Sequence, residues 1–153
     1  MRSSEIVKSF LASVEDKRLD EAFDLLSEDL VVRGPAPVPL GKKEYTGVHS
    51  AWAKACPDWR FNCSKLDERG DKVVATIRIT ATHSGELNMP MPGLPQRIAG
   101  TGRKAALPEE HPEFTVRDGK IVALEFVAPP GGGVPGLLAQ FGIAPAQAHA
   151  AAG

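Results

Sequence analysis

Apolar residues recur every three or four positions in the first third of the chain, and this spacing predicts helices. The first helix covers residues 4–14 and a short second helix covers residues 19–26. A third is predicted over residues 41–55 and is ended by Cys56-Pro57, since proline disfavours helical geometry in the residue before it. Each helix has one apolar face that must be buried against another element.

Alternation of apolar and polar residues takes over further along the chain and predicts strands. A short strand over residues 29–33 is stopped by the proline-rich segment 34–39. Residues 59–66 and 72–83 then alternate on either side of a turn that contains glycine. This pattern indicates a long antiparallel hairpin.

A second hairpin is predicted nearer the end of the chain. Residues 103–107 and 113–117 have the pattern of strand pieces interrupted by prolines, and Asp118-Gly119 turns the chain into a strand over residues 120–128. Helices followed by antiparallel hairpins give an α+β layout in which a curved sheet wraps around the helices.

Residues 84–100 contain three prolines, three glycines and two methionines, which is too irregular for a regular element and too apolar for a solvated linker. We expect this excursion to cover a cavity or a partner, with Met89, Met91 and Leu94 as an adaptable lid or a subunit contact. The tail, residues 129–153, begins with a glycine hinge and is expected to be flexible or to cap the domain. The whole chain, residues 1–153, is expected to form a single domain.

Composition narrows the class of partner. Lysine and arginine number 18 against 19 acidic residues, a net charge of -1, which does not give the basic surface of a nucleic-acid-binding protein. No apolar run has the length of a membrane span, and the N-terminus has the spacing of an amphipathic helix, so we expect a cytoplasmic protein. Cys56 and Cys63 lack the spacing of a metal site or disulfide framework and are expected to be reduced thiols.

Four short motifs follow one another between residues 57 and 122: Pro57-Asp58-Trp59-Arg60, Thr82-His83-Ser84-Gly85-Glu86, Thr101-Gly102-Arg103 and Arg117-Asp118-Gly119-Lys120-Ile121-Val122. In this order the chain resembles the nuclear transport factor two-like superfamily, and within it the SnoaL-like polyketide cyclase and ester cyclase group. The resemblance implies a cone-shaped α+β barrel of cystatin-like topology, with a curved, mostly antiparallel sheet wrapped around the N-terminal helices. It also implies a deep apolar pocket, a homodimer, and neither metal nor organic cofactor.

Two positions depart from the pattern of these relatives. The cyclases carry a catalytic aspartate on the last strand, where this chain has Phe126. Glu125 is adjacent, but successive strand residues point to opposite faces, so Glu125 is expected to face away unless a bulge re-aims it. The ketosteroid isomerases of the same superfamily carry an aspartate base after the first strand, where this chain has Gly34-Pro35.

The segment Glu109-Glu110-His111 holds candidates for acid–base chemistry. His111 lies close to where the cyclases place a pocket histidine, and an imidazole beside a carboxylate can take a proton from the carbon next to a carbonyl. We expect His111 to be the base, with Glu110 or Glu125 as its partner. The alternative is an exposed bulge whose charges are solvated.

Aromatic residues are expected to form the wall of the pocket. Tyr45, Trp52 and Trp59 are the candidates, and the tyrosine hydroxyl would polarise a ligand carbonyl. The alternative is that these aromatics are plain core. Met91 and Phe126 complete the expected ligand-binding set.

Two basic side chains allow more than one interpretation. Arg78 is expected either to line the pocket, where it would receive a carboxylate or enolate, or to form a structural ion pair with Glu86. His83 ends a predicted strand in register with an apolar face, which is more typical of a structural histidine than of a base.

These features predict a pocket for an apolar, carbonyl-bearing small molecule, with proton transfer leading to aldol cyclisation or isomerisation. A non-catalytic ligand-binding or dimerisation module of the same fold is the alternative, because both family aspartates are absent. Epoxide hydrolysis or dehydration would need a water-activating pairing of aspartate and arginine that the sequence does not assemble.

Overall fold

The structure, a computed structural model, describes residues 2–34, 38–88 and 97–143. Within these ranges the chain forms four helices and seven strands. In chain order they are α1 (Ser3–Glu15), α2 (Leu19–Asp24), β1 (Leu26–Arg33), α3 (Lys42–Ala55), β2 (Lys65–Arg69), β3 (Lys72–Thr76), β4 (Thr80–Thr82), β5 (Lys104–Ala106), β6 (Glu113–Arg117), β7 (Lys120–Glu125) and α4 (Gly133–Gln140).

Five strands form the main sheet in the order β1, β7, β6, β3, β2, and β4 pairs with β5 in a smaller sheet. β1 runs parallel to β7, whereas the other neighbouring pairs are antiparallel. α1 packs against β2, β3, β6 and β7, and α3 packs against β1. The predicted α+β architecture, with N-terminal helices and a curved, mostly antiparallel sheet, is confirmed.

The three N-terminal helices are found close to their predicted bounds. α1 buries the apolar face that its spacing predicts, including Phe10 and Val14. α2 ends at Asp24, two residues earlier than predicted, because Leu26 already pairs with Ile121 across β1 and β7. β1 consequently begins at Leu26 instead of at residue 29.

Both predicted hairpin turns are present. β2 and β3 meet at Gly70, and β6 and β7 meet at Asp118-Gly119. Asp118 and Gly119 have φ angles of 51° and 76°, the left-handed conformations that a two-residue turn of this type needs. Glycine adopts this conformation without strain, and aspartate tolerates it better than most residues.

The prediction of one uninterrupted hairpin over residues 59–83 is wrong in part. Residues 59–64 lie outside any strand, and the long second arm is divided into β3 and β4. The arm divides because it changes partner: β3 pairs with β6, whereas Ile77 forms a bridge with Glu110 and β4 pairs with β5. The alternation of buried residues nevertheless continues from Val73 to His83.

The tail forms the short helix α4, which docks on the body of the domain. Leu137 and Phe141 are buried, and the Gln140 side chain pairs with the backbone of β5. None of the helices in the described part of the chain has the length and apolar character needed to cross a bilayer. Met89, Met91 and Leu94 of the predicted lid lie outside the described residues.

Candidate functional site

A cavity of about 100 Å³ lies between the helices and the inner face of the sheet. α1, α3 and α4 each contribute to its wall, and β6 and β7 contribute from the opposite side. Aromatic rings dominate the lining: Phe10, Tyr45, His49, Trp52, Trp59, Phe61, Phe114 and Phe126. Such a surface favours an apolar ligand held in place by a small number of polar groups.

Tyr45 and His49 provide one polar group in this cavity. They are four residues apart on α3, a spacing that places both side chains on the same face of the helix. The Nε2 atom of His49 lies 2.8 Å from the Tyr45 hydroxyl oxygen. The two rings meet edge to face with their centroids 4.7 Å apart, so packing as well as the hydrogen bond fixes the pair.

Burial controls the protonation of both members of this pair. It raises the pKa of the Tyr45 phenol well above its ordinary value, because the phenolate would lose its hydration. It also lowers the pKa of the His49 imidazole to about 4, because the imidazolium would lose its hydration. Both groups are therefore neutral at pH 7, and the pair can donate a hydrogen bond to a ligand oxygen without carrying charge.

Glu110 provides the carboxyl group of the cavity. Only 4% of the residue is exposed, and its backbone exchanges two hydrogen bonds with Ile77, of 2.8 and 3.0 Å. Its Oε2 atom accepts a hydrogen bond of 3.2 Å from the Gly133 N–H at the start of α4. Burial raises the pKa of the Glu110 carboxyl, and this hydrogen bond opposes the shift in part. A carboxyl poised in this way suits proton transfer.

The side chain of His111, the predicted base, points to solvent and not to the cavity. Its side chain is 54% exposed, and its Nε2 atom lies 3.2 Å from the Glu109 carboxylate. Its Nδ1 atom lies 3.4 Å from the Thr76 hydroxyl. His111 does not line the cavity. The structure thus brings Glu110 to the cavity and leaves its expected partner outside.

Glu125 and Phe126 take the orientations expected from strand alternation. The Glu125 side chain is 64% exposed, and its carboxylate lies 3.9 Å from the Arg33 guanidinium. Phe126 lines the cavity. Like His111, Glu125 is therefore not among the residues that line the cavity.

Arg78 and His83 also lie away from the cavity. The Arg78 guanidinium is exposed and lies 3.8 Å from the Glu109 carboxylate, so its ion pair is with Glu109 and not with Glu86. His83 is fully buried, with Nδ1 3.2 Å from the Thr101 hydroxyl and its ring 5.2 Å from that of Phe141. Burial lowers the pKa of His83, which fits a neutral structural histidine.

The three predicted aromatic residues, Tyr45, Trp52 and Trp59, all line the cavity. His49 lines it as well, and the sequence reasoning missed it. The signal was available, because residue 49 lies four positions after Tyr45 in a predicted helix. The apolar pattern drew attention to Val48 and Trp52 on that face instead.

A surface groove of about 500 Å³ meets the cavity at Glu110 and Phe126, which belong to the linings of both. Glu109, His111, Glu113 and Glu125 line the outer part of the groove. Glu110 and Phe126 therefore stand between the interior and solvent. Among the described residues, no cluster of three histidine, cysteine or acidic side chains is arranged to bind a metal ion.

Fold and site together define a small α+β domain of the nuclear transport factor two-like fold, with a cavity between its N-terminal helices and its curved sheet. The chain belongs to the family of SnoaL-like domains, whose model matches residues 7–124. No curated protein matches it in sequence.

Solved structures confirm the fold. AclR from Streptomyces galilaeus, described as a proposed hydroxylase, is 20% identical, with a TM-score of 0.72 over 94% of this chain and 82% of that one. IdmH from Streptomyces antibioticus, a proposed polyketide cyclase, is 20% identical, with a TM-score of 0.71 over 93% and 99% of the two chains. An epoxide hydrolase of the LEH-like type from M. tuberculosis is 15% identical, with a TM-score of 0.65 over 90% of each chain.

Proposed function

We propose that this protein is a proton-transfer enzyme that acts on an apolar, carbonyl-bearing small molecule in the cavity. The observation that carries the proposal is the presence of one buried carboxyl, Glu110, and one neutral hydrogen-bonding pair, Tyr45 and His49, in the lining of the same apolar cavity. Supporting it, IdmH, one of the proteins that share the fold, is described as a proposed polyketide cyclase. An aldol cyclisation proceeds through a carbanion next to a carbonyl.

Glu110 acts as the base in this proposal. Its ionised carboxylate takes a proton from the carbon next to the ligand carbonyl, and the electron pair of the broken C–H bond forms the C=C bond of an enolate. Because burial raises the pKa of Glu110, its carboxylate holds the abstracted proton more strongly than an exposed glutamate would.

The Tyr45 hydroxyl receives the negative charge that develops on the carbonyl oxygen. In the tautomer that carries its proton on Nε2, His49 donates to the tyrosine oxygen, which leaves the tyrosine O–H free to donate to the ligand. If the ligand carries a C=C bond next to the deprotonated carbon, the enolate is conjugated, and Glu110 returns the proton to the far carbon of that bond as the double bond shifts, which is isomerisation. Alternatively, the enolate carbon attacks a second carbonyl of the ligand. In the second case the new alkoxide takes the proton, which completes an aldol cyclisation.

Hydrogen–deuterium exchange of acetophenone in D2O tests this proposal, since its methyl protons exchange through the enolate and the loss of their NMR signal gives the rate. The protein is expected to accelerate the exchange, and Glu110→Gln is expected to reduce the acceleration by about 100-fold or more. Glutamine keeps an oxygen to accept the Gly133 N–H, so the fold is retained.

Glu109→Gln is the matched control. Glu109 is the preceding residue, but its carboxylate is half-exposed and faces Arg78 and His111. This variant is expected to exchange acetophenone at the wild-type rate. Equal rates for Glu110→Gln and the wild type would refute the role of Glu110.

A non-catalytic ligand-binding module is the second candidate function. It is favoured by Phe126 and Gly34, which occupy the positions of the aspartates in the cyclases and ketosteroid isomerases. Acetophenone that binds in the cavity but exchanges only at the uncatalysed rate would support this candidate over the enzyme.

A further inference from the structure

We infer that α4 limits the size of the ligand to about one ring, and that Leu137 is the residue that sets this limit. The inference rests on the proposed function in taking the cavity as the ligand site. It adds the class of ligand, a monocyclic or comparably small carbonyl compound, and it assigns the selection to a helix that lies wholly beyond the residues matched by the family model.

The cavity is small. Its volume of about 100 Å³ is smaller than that of engineered apolar cavities of about 150 Å³ that accept benzene. A single ring therefore fills the enclosed space, and a second fused ring needs either the volume that α4 occupies or the groove beyond Glu110 and Phe126. Val134 and Leu137 of α4 line the cavity, so this helix occupies space that a larger ligand would need.

Hydrogen bonds hold α4 in place at both ends. At its start, the Gly133 N–H donates to the Glu110 carboxylate. At its end, the Gln140 side chain accepts a hydrogen bond of 2.7 Å from the Ala106 N–H and donates one of 3.0 Å to the Ala106 carbonyl. The side-chain amide of Gln140 thus links the helix to β5 through two hydrogen bonds.

Packing holds the helix as firmly as these hydrogen bonds. Phe141, directly after α4, is fully buried between the rings of His83 and Trp52, with centroid distances of 5.2 and 6.4 Å. Gly136 packs so closely on the preceding turn that an added Cβ would lie 2.1 Å from the Gly131 carbonyl oxygen. α4 is consequently a fixed wall, and the space that Leu137 fills is unavailable to the ligand.

Calorimetric titration with two ketones tests the inference: acetophenone, which has one ring, and 2-acetonaphthone, which has two. The wild type is expected to bind acetophenone at least tenfold more tightly than 2-acetonaphthone. Leu137→Ala, which enlarges the cavity, is expected to bind 2-acetonaphthone at least tenfold more tightly than the wild type does. Val134→Ala removes fewer atoms and is expected to change the preference in the same direction with less loss of stability.

Leu138→Ala is the matched control. Leu138 follows Leu137 on the same helix and is buried, but it does not line the cavity. Its truncation is expected to lower the melting temperature while leaving the preference for acetophenone unchanged. Both tryptophans of the chain, Trp52 and Trp59, line the cavity, so quenching of tryptophan fluorescence shows that each ketone binds there.

The outcomes separate this inference from the proposed function. Equal affinity of the wild type for the two ketones, or binding of neither by the wild type and the variants, would overturn the size limit. A switch in preference by Leu137→Ala without catalysed exchange of acetophenone would support the size limit and refute the proton transfer. An equal switch in Leu138→Ala would show that loosening of the helix, and not the volume of Leu137, sets the limit.

Discussion

The Nε2 atom of His49 and the hydroxyl oxygen of Tyr45 lie 2.8 Å apart, one helical turn from each other on α3. Each ring excludes water from the other, and Phe10, Trp59 and Phe61 surround the imidazole at centroid distances of 6.2 to 6.4 Å. The pair is therefore a hydrogen-bonding group whose two members both resist ionisation. The resistance to ionisation can be measured for each member separately, through the absorbance of Tyr45 and the pH dependence of stability that His49 produces.

Tyr45 is the only tyrosine of the chain, so the phenolate absorbance at 295 nm reports this residue alone. Because burial raises its pKa, we expect no phenolate signal near pH 10, where an exposed tyrosine ionises, for as long as the protein is folded. The raised pKa contributes stability that is fully present below pH 10 and is lost as the pH rises further. Tyr45→Phe should lack this part of the alkaline destabilisation. A phenol that titrates near pH 10 in the folded protein would contradict the burial.

His49 should make the protein less stable in acid. Its pKa falls from about 6.5 in the unfolded chain to about 4 in the folded one. The unfolded chain therefore binds the extra proton between these values, and the stability contributed by neutral His49 is present above pH 6.5 and is lost as the pH falls toward 4. The loss should be on the order of 3 kcal/mol in the free energy of unfolding by urea.

His49→Gln isolates this effect. Glutamine can still form a hydrogen bond with the Tyr45 hydroxyl but does not titrate. As the pH falls from 6.5 to 4, the free energy of unfolding of the wild type should therefore decrease relative to that of the variant. The wild type must be compared with the variant at each pH because Glu110 has the opposite effect on stability. Its raised pKa favours the folded state at low pH in both proteins. A difference that stays constant over this range would show that His49 is not held neutral.

Periodicity was sufficient to predict the N-terminal helices and two of the aromatic residues that line the cavity, Tyr45 and Trp52. Tyr45 and Trp52 share one face of α3 because the helical period places them there, and the same period would have identified His49. In β7 and beyond it, alternation correctly placed Glu125 outside and Phe126 inside. In α3 and at the end of β7 the local backbone determines the direction of each side chain, although the pairing of β6 with β7 shifts between Ile121 and Ala123.

The choice between Glu110 and His111 could not be made in this way. They lie between β5 and β6, in a segment with a proline on each side, Pro108 and Pro112, where no continuous ladder sets the alternation. A single bridge to Ile77, a contact between residues distant in sequence, turns Glu110 inward. For the same reason, the docking of α4 by Gln140 is not evident from its short, glycine-rich sequence.

The link between Gln140 and β5 should be visible in amide exchange. Gln140→Ala removes both hydrogen bonds to Ala106, and because the site is exposed to water, we expect a loss of about 1 kcal/mol in stability. The Ala106 amide should exchange faster with D2O. The next amide, Leu107, donates to the Ile79 carbonyl at 2.8 Å and should keep its protection. Equal acceleration of both amides would mean that β5 itself opens, and unchanged exchange at Ala106 would contradict the link.

The backbone of Phe126 passes so close to Gly34 that position 34 has no room for a side chain. Gly34 has a φ of 121°, and an added Cβ would lie 2.1 Å from the Phe126 carbonyl oxygen. Gly34→Ala should therefore lower the free energy of unfolding by about 3 kcal/mol or more, from backbone strain and steric overlap together.

Gly70 also has a positive φ, of 64°, but an added Cβ there would meet nothing within 4 Å. Gly70→Ala should cost only the backbone strain, about 1 kcal/mol. Urea unfolding of the two variants measures the difference, and equal losses would show that Phe126 does not exclude a side chain at position 34.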